Sequence, residues 1–163
     1  MASPEPSVRS QAKQKRRRAR FALQVATRER GVPPRSRFLQ WAEAALSRPA
    51  QFTIRIVGQR EAKKINRQFS GKAYSPNVLT FRYQGDGRTL SGDIVLCAPV
   101  IAREARERGE ARDAHYAHLT VHGLLHMQGY DHRRANDARA MERLETSILR
   151  RLGYPDPYTI HGR

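Results

Sequence analysis

The order in which strand-like and helix-like segments follow one another restricts the fold of this chain more than any other feature. Short runs rich in β-branched residues alternate with amphipathic stretches in the order strand, helix, strand, helix, strand, strand, and three helices complete the chain. The strands are predicted at 21–26, 51–57, 77–83 and 89–98, and the helices at 33–48, 60–69, 99–109, 113–128 and 136–152. This order predicts an α+β fold, with one small mixed β-sheet packed against helices.

A single domain accounts for the chain. A sequence of 163 residues with 39% hydrophobic content supports one core and is too short for two comfortable domains. We predict this domain over residues 21–158, a basic, disordered tail over residues 1–20, and a C-terminal end over residues 159–163. Cys97, the only cysteine, lies in the apolar run IVLCAPV and is predicted to be a buried structural thiol.

The chain carries a large excess of positive charge. Its 31 Lys and Arg residues against 15 Asp and Glu residues give a net charge of +16, of which residues 1–20 supply +6. Because the folded part is basic too, the charge favours a polyphosphate partner such as nucleic acid. No signal-peptide core and no run of about eighteen apolar residues is present, so we expect a cytoplasmic monomer with no membrane partner. A mitochondrial presequence over residues 17–30 is a minor alternative.

The segment HGLLHMQGYDH, residues 122–132, has the spacing of a metal site. His122 and His126 lie four residues apart and therefore project from one face of a helix. Gly129 is suited to the left-handed conformation that ends a helix, and the turn would return His132 toward the other two imidazoles. We predict one zinc ion held by His122, His126 and His132, on a helix and the loop that follows it, with water or substrate in the fourth position.

Packed, hydrogen-bonded histidines on a mostly apolar helix are the alternative interpretation. The third histidine, the glycine and the four-residue spacing agree with one another and favour metal binding. His115 and His118 continue the stripe toward the N-terminus and rank below the three motif histidines, as packing or supporting groups. Three imidazoles also suit nickel and copper, so the spacing does not select zinc alone.

The same spacing occurs in the metzincin proteases, whose motif HExxHxxGxxH contains a glutamate that acts as general base. This chain has Gly123 at the position of that glutamate. Without it, a zinc peptidase lacks the group that takes a proton from water and passes it to the leaving amine. A metzincin-like peptidase is therefore the least favoured of three functional hypotheses.

Four segments carry a resemblance to a known family. The segments are HLTVHGLLHMQGYDH, NVLTF at 77–81, GDIVLC at 92–97 and LETSILRRLGYPDPY. They resemble the YbeY family of bacterial metal-dependent endoribonucleases, and the likeness extends from about Phe21 to Tyr158. It implies a single-strand-specific, zinc-dependent endoribonuclease that acts in rRNA processing, at the 3′ end of the small-subunit rRNA, and in ribosome quality control. The implied partners are single-stranded RNA, rRNA and the ribosome or its small subunit. The implied zinc ligands map onto His122, His126 and His132.

This chain departs from the family pattern at one position. Relatives carry an arginine before Gly-Lys in this region, whereas NRQFSGKAYSPNVLTF has Ser70 there and retains Lys72. Serine cannot replace the charge or the planar donors of an arginine that clamps a phosphate. We predict that Arg67 or Lys72 supplies the cation and list both with the three histidines as catalytic candidates. If neither does, a ribosome-associated RNA-binding assembly factor, with structural zinc and weak or no catalysis, is the alternative function.

Overall fold

The predicted elements are all present in the computed structural model, which describes residues 17–85, 87–131 and 134–158. In these ranges the strands are β1 (Ala19–Ala26), β2 (Ala50–Val57), β3 (Val78–Tyr83) and β4 (Leu90–Cys97). The helices are α1 (Arg35–Ala45), α2 (Gln59–Ser70), α3 (Ala98–Arg108), α4 (Arg112–Met127) and α5 (Ala135–Arg151). Their bounds differ from the prediction by at most three residues.

The first strand begins two residues before the predicted start of the domain. Ala19 pairs with Ala50 of β2, and its amide N–H donates to a carboxylate oxygen of Glu43 on α1 at 2.7 Å. Ala19 and Arg20 therefore belong to the sheet. Residues 1–16 of the predicted tail and the predicted end at 159–163 lie outside the described residues.

The sheet is mixed, as predicted. Its strand order is β1-β2-β4-β3, with β1, β2 and β4 parallel and β3 antiparallel to β4. Helix α1 connects the parallel pair β1 and β2, which is the crossover that a parallel pair requires. The hairpin of β3 and β4 adds the antiparallel edge strand, so the α+β class is confirmed.

The two faces of the sheet pack against different helices. Ile54 and Ile94 face a large cluster that includes residues of α1, α4 and α5. Val95 and Cys97 point the opposite way, as alternate residues of a strand must, and pack with α2 in a smaller cluster. The buried position of Cys97 agrees with the prediction of a structural thiol. Helices α2 and α4 therefore lie on opposite faces of the sheet.

Helix α4 runs through the core. Twelve of its 16 residues are buried, which fits its largely apolar circumference. It ends at the predicted place, because Gly129 takes the left-handed conformation (φ 103°) and the Tyr130 amide N–H donates to the Leu125 carbonyl at 3.1 Å. Although α4 is so apolar, the described ranges contain no helix with the length and hydrophobicity to cross a membrane.

Candidate metal-binding and catalytic site

Two of the three motif histidines lie side by side at the end of α4. The ring centroids of His122 and His126 are 6.0 Å apart, and both side chains are half-buried. The third predicted ligand, His132, lies outside the described residues. Among the residues that are described, no group of three His, Cys, Asp or Glu side chains is arranged to hold a metal ion. The helical pair is thus formed, and the three-histidine ligand set stays a prediction.

A buried carboxylate from α5 supports this pair. Glu145 is fully buried, and its Oε2 accepts a hydrogen bond from Nδ1 of His122 at 2.6 Å. Its Oε1 accepts from Nε2 of His118 at 3.1 Å and from the hydroxyl of Tyr158. Sequence reasoning missed Glu145. The signal was present, since this acid falls on the apolar stripe of α5 between Met141 and Ile148.

The charge of Glu145 fixes how its neighbours are protonated. Burial by itself raises the pKa of this carboxyl, but hydrogen bonds from His118, His122 and Tyr158 outweigh burial and hold the pKa at about 2. Burial and the bond to Glu145 raise the pKa of the Tyr158 phenol, which therefore stays protonated and donates. An ionised carboxylate can only accept, so Nδ1 of His122 carries a proton, and in the neutral imidazole the lone pair is therefore on Nε2. This is the tautomer of an imidazole that ligates a metal through Nε2.

The other two histidines of α4 are packed residues. His115 is buried, and its Nε2 lies 2.8 Å from Glu104 Oε1 on α3. His118 is 8% exposed and shares Glu145 with His122. The sequence predicted both as packing or supporting groups rather than metal ligands, and these contacts agree with that prediction. His118 nevertheless contributes to the site, because it helps to hold the carboxylate that bonds His122.

Glu104 should make folding stability depend on pH. The hydrogen bond from His115 lowers its pKa below the ordinary value of 4.5, against burial, and Asn77 assists. A carboxyl with a depressed folded-state pKa contributes stability that is complete above about pH 4.5 and is lost as the pH falls further. The difference in melting temperature between the wild type and Glu104→Gln should therefore shrink between about pH 6 and about pH 3.

A matched control for this pH dependence lies on the same helix. Glu107 is 65% exposed and pairs with the exposed Arg103 at 3.7 Å, so Glu107→Gln should show little change with pH. Equal pH dependence in the two variants would contradict the role assigned to the pair of Glu104 and the buried His115.

Gly123 faces the sheet. A Cβ atom at this position would lie 3.0 Å from Oγ1 of Thr80 on β3 and 3.4 Å from Cδ1 of Ile94 on β4. The glycine allows α4 to approach the sheet closely. A glutamate there would have to displace Thr80 or Ile94, and the glycine present supplies no general base, which argues against the peptidase hypothesis.

The predicted cations lie at the end of α2. Arg67 and Lys72 are both exposed, and in the described ranges neither is in hydrogen-bond or ion-pair contact with His122 or His126. The serine at the family's arginine position closes the helix, since its hydroxyl donates to the Asn66 carbonyl at 2.8 Å. Their catalytic role stays a prediction.

Comparisons with known proteins agree with this fold. The family model described as Endoribonuclease YbeY matches residues 24–153, which include β2 to β4 and the whole of α4 and α5. An endoribonuclease YbeY of Nitrosomonas europaea is 55% identical over 140 residues, 86% of this chain and 85% of the relative. That of Nitrosomonas eutropha is 54% identical, over 86% of this chain and 99% of the relative.

A solved structure extends the comparison of the fold. The solution structure of a protein from Thermotoga maritima covers 86% of this chain, and 99% of that protein is matched, with a TM-score of 0.53. At 20% identity this likeness supports the fold alone. Together, the fold and the curated relatives define the class of protein as an endoribonuclease. Within that class, the chain belongs to the YbeY family.

Proposed function

We propose that this protein is a zinc-dependent endoribonuclease that cleaves single-stranded RNA during rRNA processing. The proposed site of action is the 3′ end of the small-subunit rRNA, with a further role in ribosome quality control in the cytoplasm. One observation carries the metal dependence: the hydrogen bond between His122 and the buried carboxylate of Glu145 selects the tautomer that a metal ligand needs. Family membership and the net charge of +16 support an RNA substrate.

The residues of this chain fit a zinc ion. His122 and His126 would hold it from the helix and His132 from the following loop, with a fourth position for water or substrate. When bound, zinc supplies a Lewis acid and lowers the pKa of a bound water to about 7. Glu145 keeps the His122 ring in place and balances the charge of the site. Arg67 and Lys72 would neutralise charge that develops on the phosphodiester.

One observation favours a second function. The hydroxyl of Ser70 is used to close α2, and a neutral serine stands at the position of the family's arginine. A protein that binds rRNA as an assembly factor, with zinc as a structural element, would have no need of that cation. This alternative predicts tight RNA binding without turnover.

Cleavage of a single-stranded rRNA fragment, measured in parallel with metal content, tests the proposal. Wild type should cut and hold one metal ion per chain, and His126→Ala should lose the metal and at least about 100-fold of the activity, because two remaining ligands cannot retain the ion. Ser70→Arg should change the rate modestly if Arg67 or Lys72 already supplies the cation. The product termini distinguish attack by the ribose 2′-hydroxyl from attack by water.

Two results would contradict the nuclease proposal. A wild type that holds metal and binds RNA but cuts only after Ser70→Arg would favour the assembly factor. A His126→Ala variant that loses metal but keeps full activity would exclude zinc from catalysis.

A further inference from the structure

The outer side of α5 carries four arginines that the candidate site does not use. Three of them are Arg139, Arg143 and Arg150, which are separated by four and seven residues. The directions of their side chains therefore differ by about 40° or less around the helix axis. Arg151 is adjacent, and all four are exposed. Met141, Glu145, Ile148 and Leu149 occupy the buried side of the same helix. We call the four residues the arginine face.

This face borders a surface cavity of about 700 Å³. The cavity is also lined by Tyr158 and by two acids, Glu142 and Asp156. Asp156 is already engaged, because its Oδ1 accepts from the Tyr158 amide at 2.8 Å and from the Thr146 hydroxyl at 3.3 Å. The balance of four cations against two carboxylates leaves the cavity positive and suited to an anion.

The arginine face is not neutralised by the protein itself. Counting only residues 17–85, 87–131 and 134–158, no carboxylate forms an ion pair with any of its four members. Two of the three arginines of α3 differ, because Arg103 pairs with Glu107 and Arg108 pairs with Glu110. Like charges held together without counter-charges repel one another, and a polyanion that binds them relieves that repulsion.

Tyr158 joins the cavity to the candidate site. The residue is 41% exposed, and its ring lies edge-on to His118, with centroids 5.4 Å apart. Its hydroxyl donates to Glu145, whose other oxygen accepts from His122. The ring is therefore held in position beside the arginine face, one carboxylate away from a predicted metal ligand. An aromatic ring next to a row of arginines is the combination that binds a single strand, by base stacking and phosphate contacts.

We propose that the arginine face and Tyr158 bind the single-stranded RNA substrate at a distance from the bond that is cut. The inference rests on the proposed function and deepens it. Residues four apart lie about 6 Å apart along the helix axis, which lets Arg139 and Arg143 contact neighbouring phosphates of one strand. Tyr158 stacks on a base of the same strand as it leads toward His122.

Charge reversal tests the arginine face. The full-length Arg143→Glu/Arg150→Glu variant is compared with Arg103→Glu/Arg106→Glu on α3, which changes the net charge by the same amount. A fluorescent single-stranded RNA is titrated in EDTA, which prevents cleavage, at several salt concentrations. The Kd of the α5 variant should rise about tenfold or more. Its slope of log affinity against log salt should fall by about 1.4, for two lost phosphate contacts.

Two substitutions separate the ring of Tyr158 from its hydroxyl. Tyr158→Phe keeps the aromatic face and should bind RNA with nearly the wild-type Kd, whereas Tyr158→Leu should bind about tenfold more weakly. Both variants lose the hydrogen bond to Glu145, so a difference between them reports stacking.

The possible outcomes are distinct. Equal weakening of RNA binding in the α5 and α3 variants would mean that net charge alone matters, and it would overturn the proposal. An α5 variant that binds RNA as tightly as the wild type would also overturn it. An α5 variant that keeps RNA affinity but loses binding to a polyglutamate peptide would assign the face to an acidic protein and overturn it too. If wild-type protein cuts RNA while the α5 variant is unchanged in binding, only this inference fails. If wild type neither cuts nor binds RNA, the proposed function fails first.

Discussion

Glu145→Ala should weaken zinc binding by about 10- to 100-fold, because His122 loses the acceptor that fixes its tautomer and ring orientation. The same change should lower the free energy of unfolding by about 3 to 5 kcal/mol, since it breaks a buried network that includes His118 and Tyr158. Zinc affinity would be measured by competition with a chelator at a temperature where the variant is fully folded. The unfolding free energy would come from urea denaturation of the metal-free protein.

Glu142→Ala provides the matched control, because Glu142 lies on the same helix and is exposed. It should leave both quantities close to the wild-type values. A Co²⁺-loaded Glu145→Ala variant should also show an altered visible spectrum, which a purely structural role would not produce. Wild-type zinc affinity in a folded Glu145→Ala variant would show that the carboxylate does not position the ligand.

Gly123→Glu should destabilise the protein by about 3 kcal/mol or more. The new Cβ would crowd Thr80 and Ile94, and a carboxylate would have to enter the packed space between α4 and the sheet. The variant reproduces the metzincin motif in sequence, yet we expect it to gain no peptidase activity. Thermal unfolding followed by circular dichroism measures the loss of stability.

Gly123→Ala is the control for this substitution. Its methyl group meets Thr80 Oγ1 at 3.0 Å, while alanine improves helix propensity, so the two effects offset each other to within about 1 kcal/mol. A Gly123→Glu protein as stable as the wild type would mean that α4 can move away from the sheet. The packing explanation for the glycine would then be wrong.

The periodic segments of the sequence were sufficient to predict the fold. Alternation in 51–57 specified that Phe52, Ile54 and Ile56 of β2 face the core, and Gly129 specified where α4 ends. The start of β1 was placed two residues late, because Ala19 and Arg20 carry no strand signal of their own. Pairing with β2 extends the strand there, and pairing partners distant in sequence are not visible in a local pattern.

The candidate site was predictable only in part. His122 and His126 followed from helical spacing, which is a local property of the chain. Glu145 bonds His122 from 23 residues away, and the contact depends on how α5 packs against α4. A single acid on an apolar stripe indicates a buried partner but does not identify it. The function of Arg67 and Lys72 depends on how the end of α2 approaches the substrate, which local pattern does not specify.

The burial of α4 has a consequence for how the protein would acquire the proposed zinc ion. Amides in the best-packed helix of a domain exchange with solvent mainly through global unfolding, so His122 and His126 belong to the slowest-opening part of the molecule. The packing of α4 holds these two side chains in place, so binding of the proposed zinc ion at them would require no coupled folding. Loss of the ion should accordingly leave hydrogen-exchange protection along α4 unchanged, so that the apoprotein persists as a folded species ready to be reloaded.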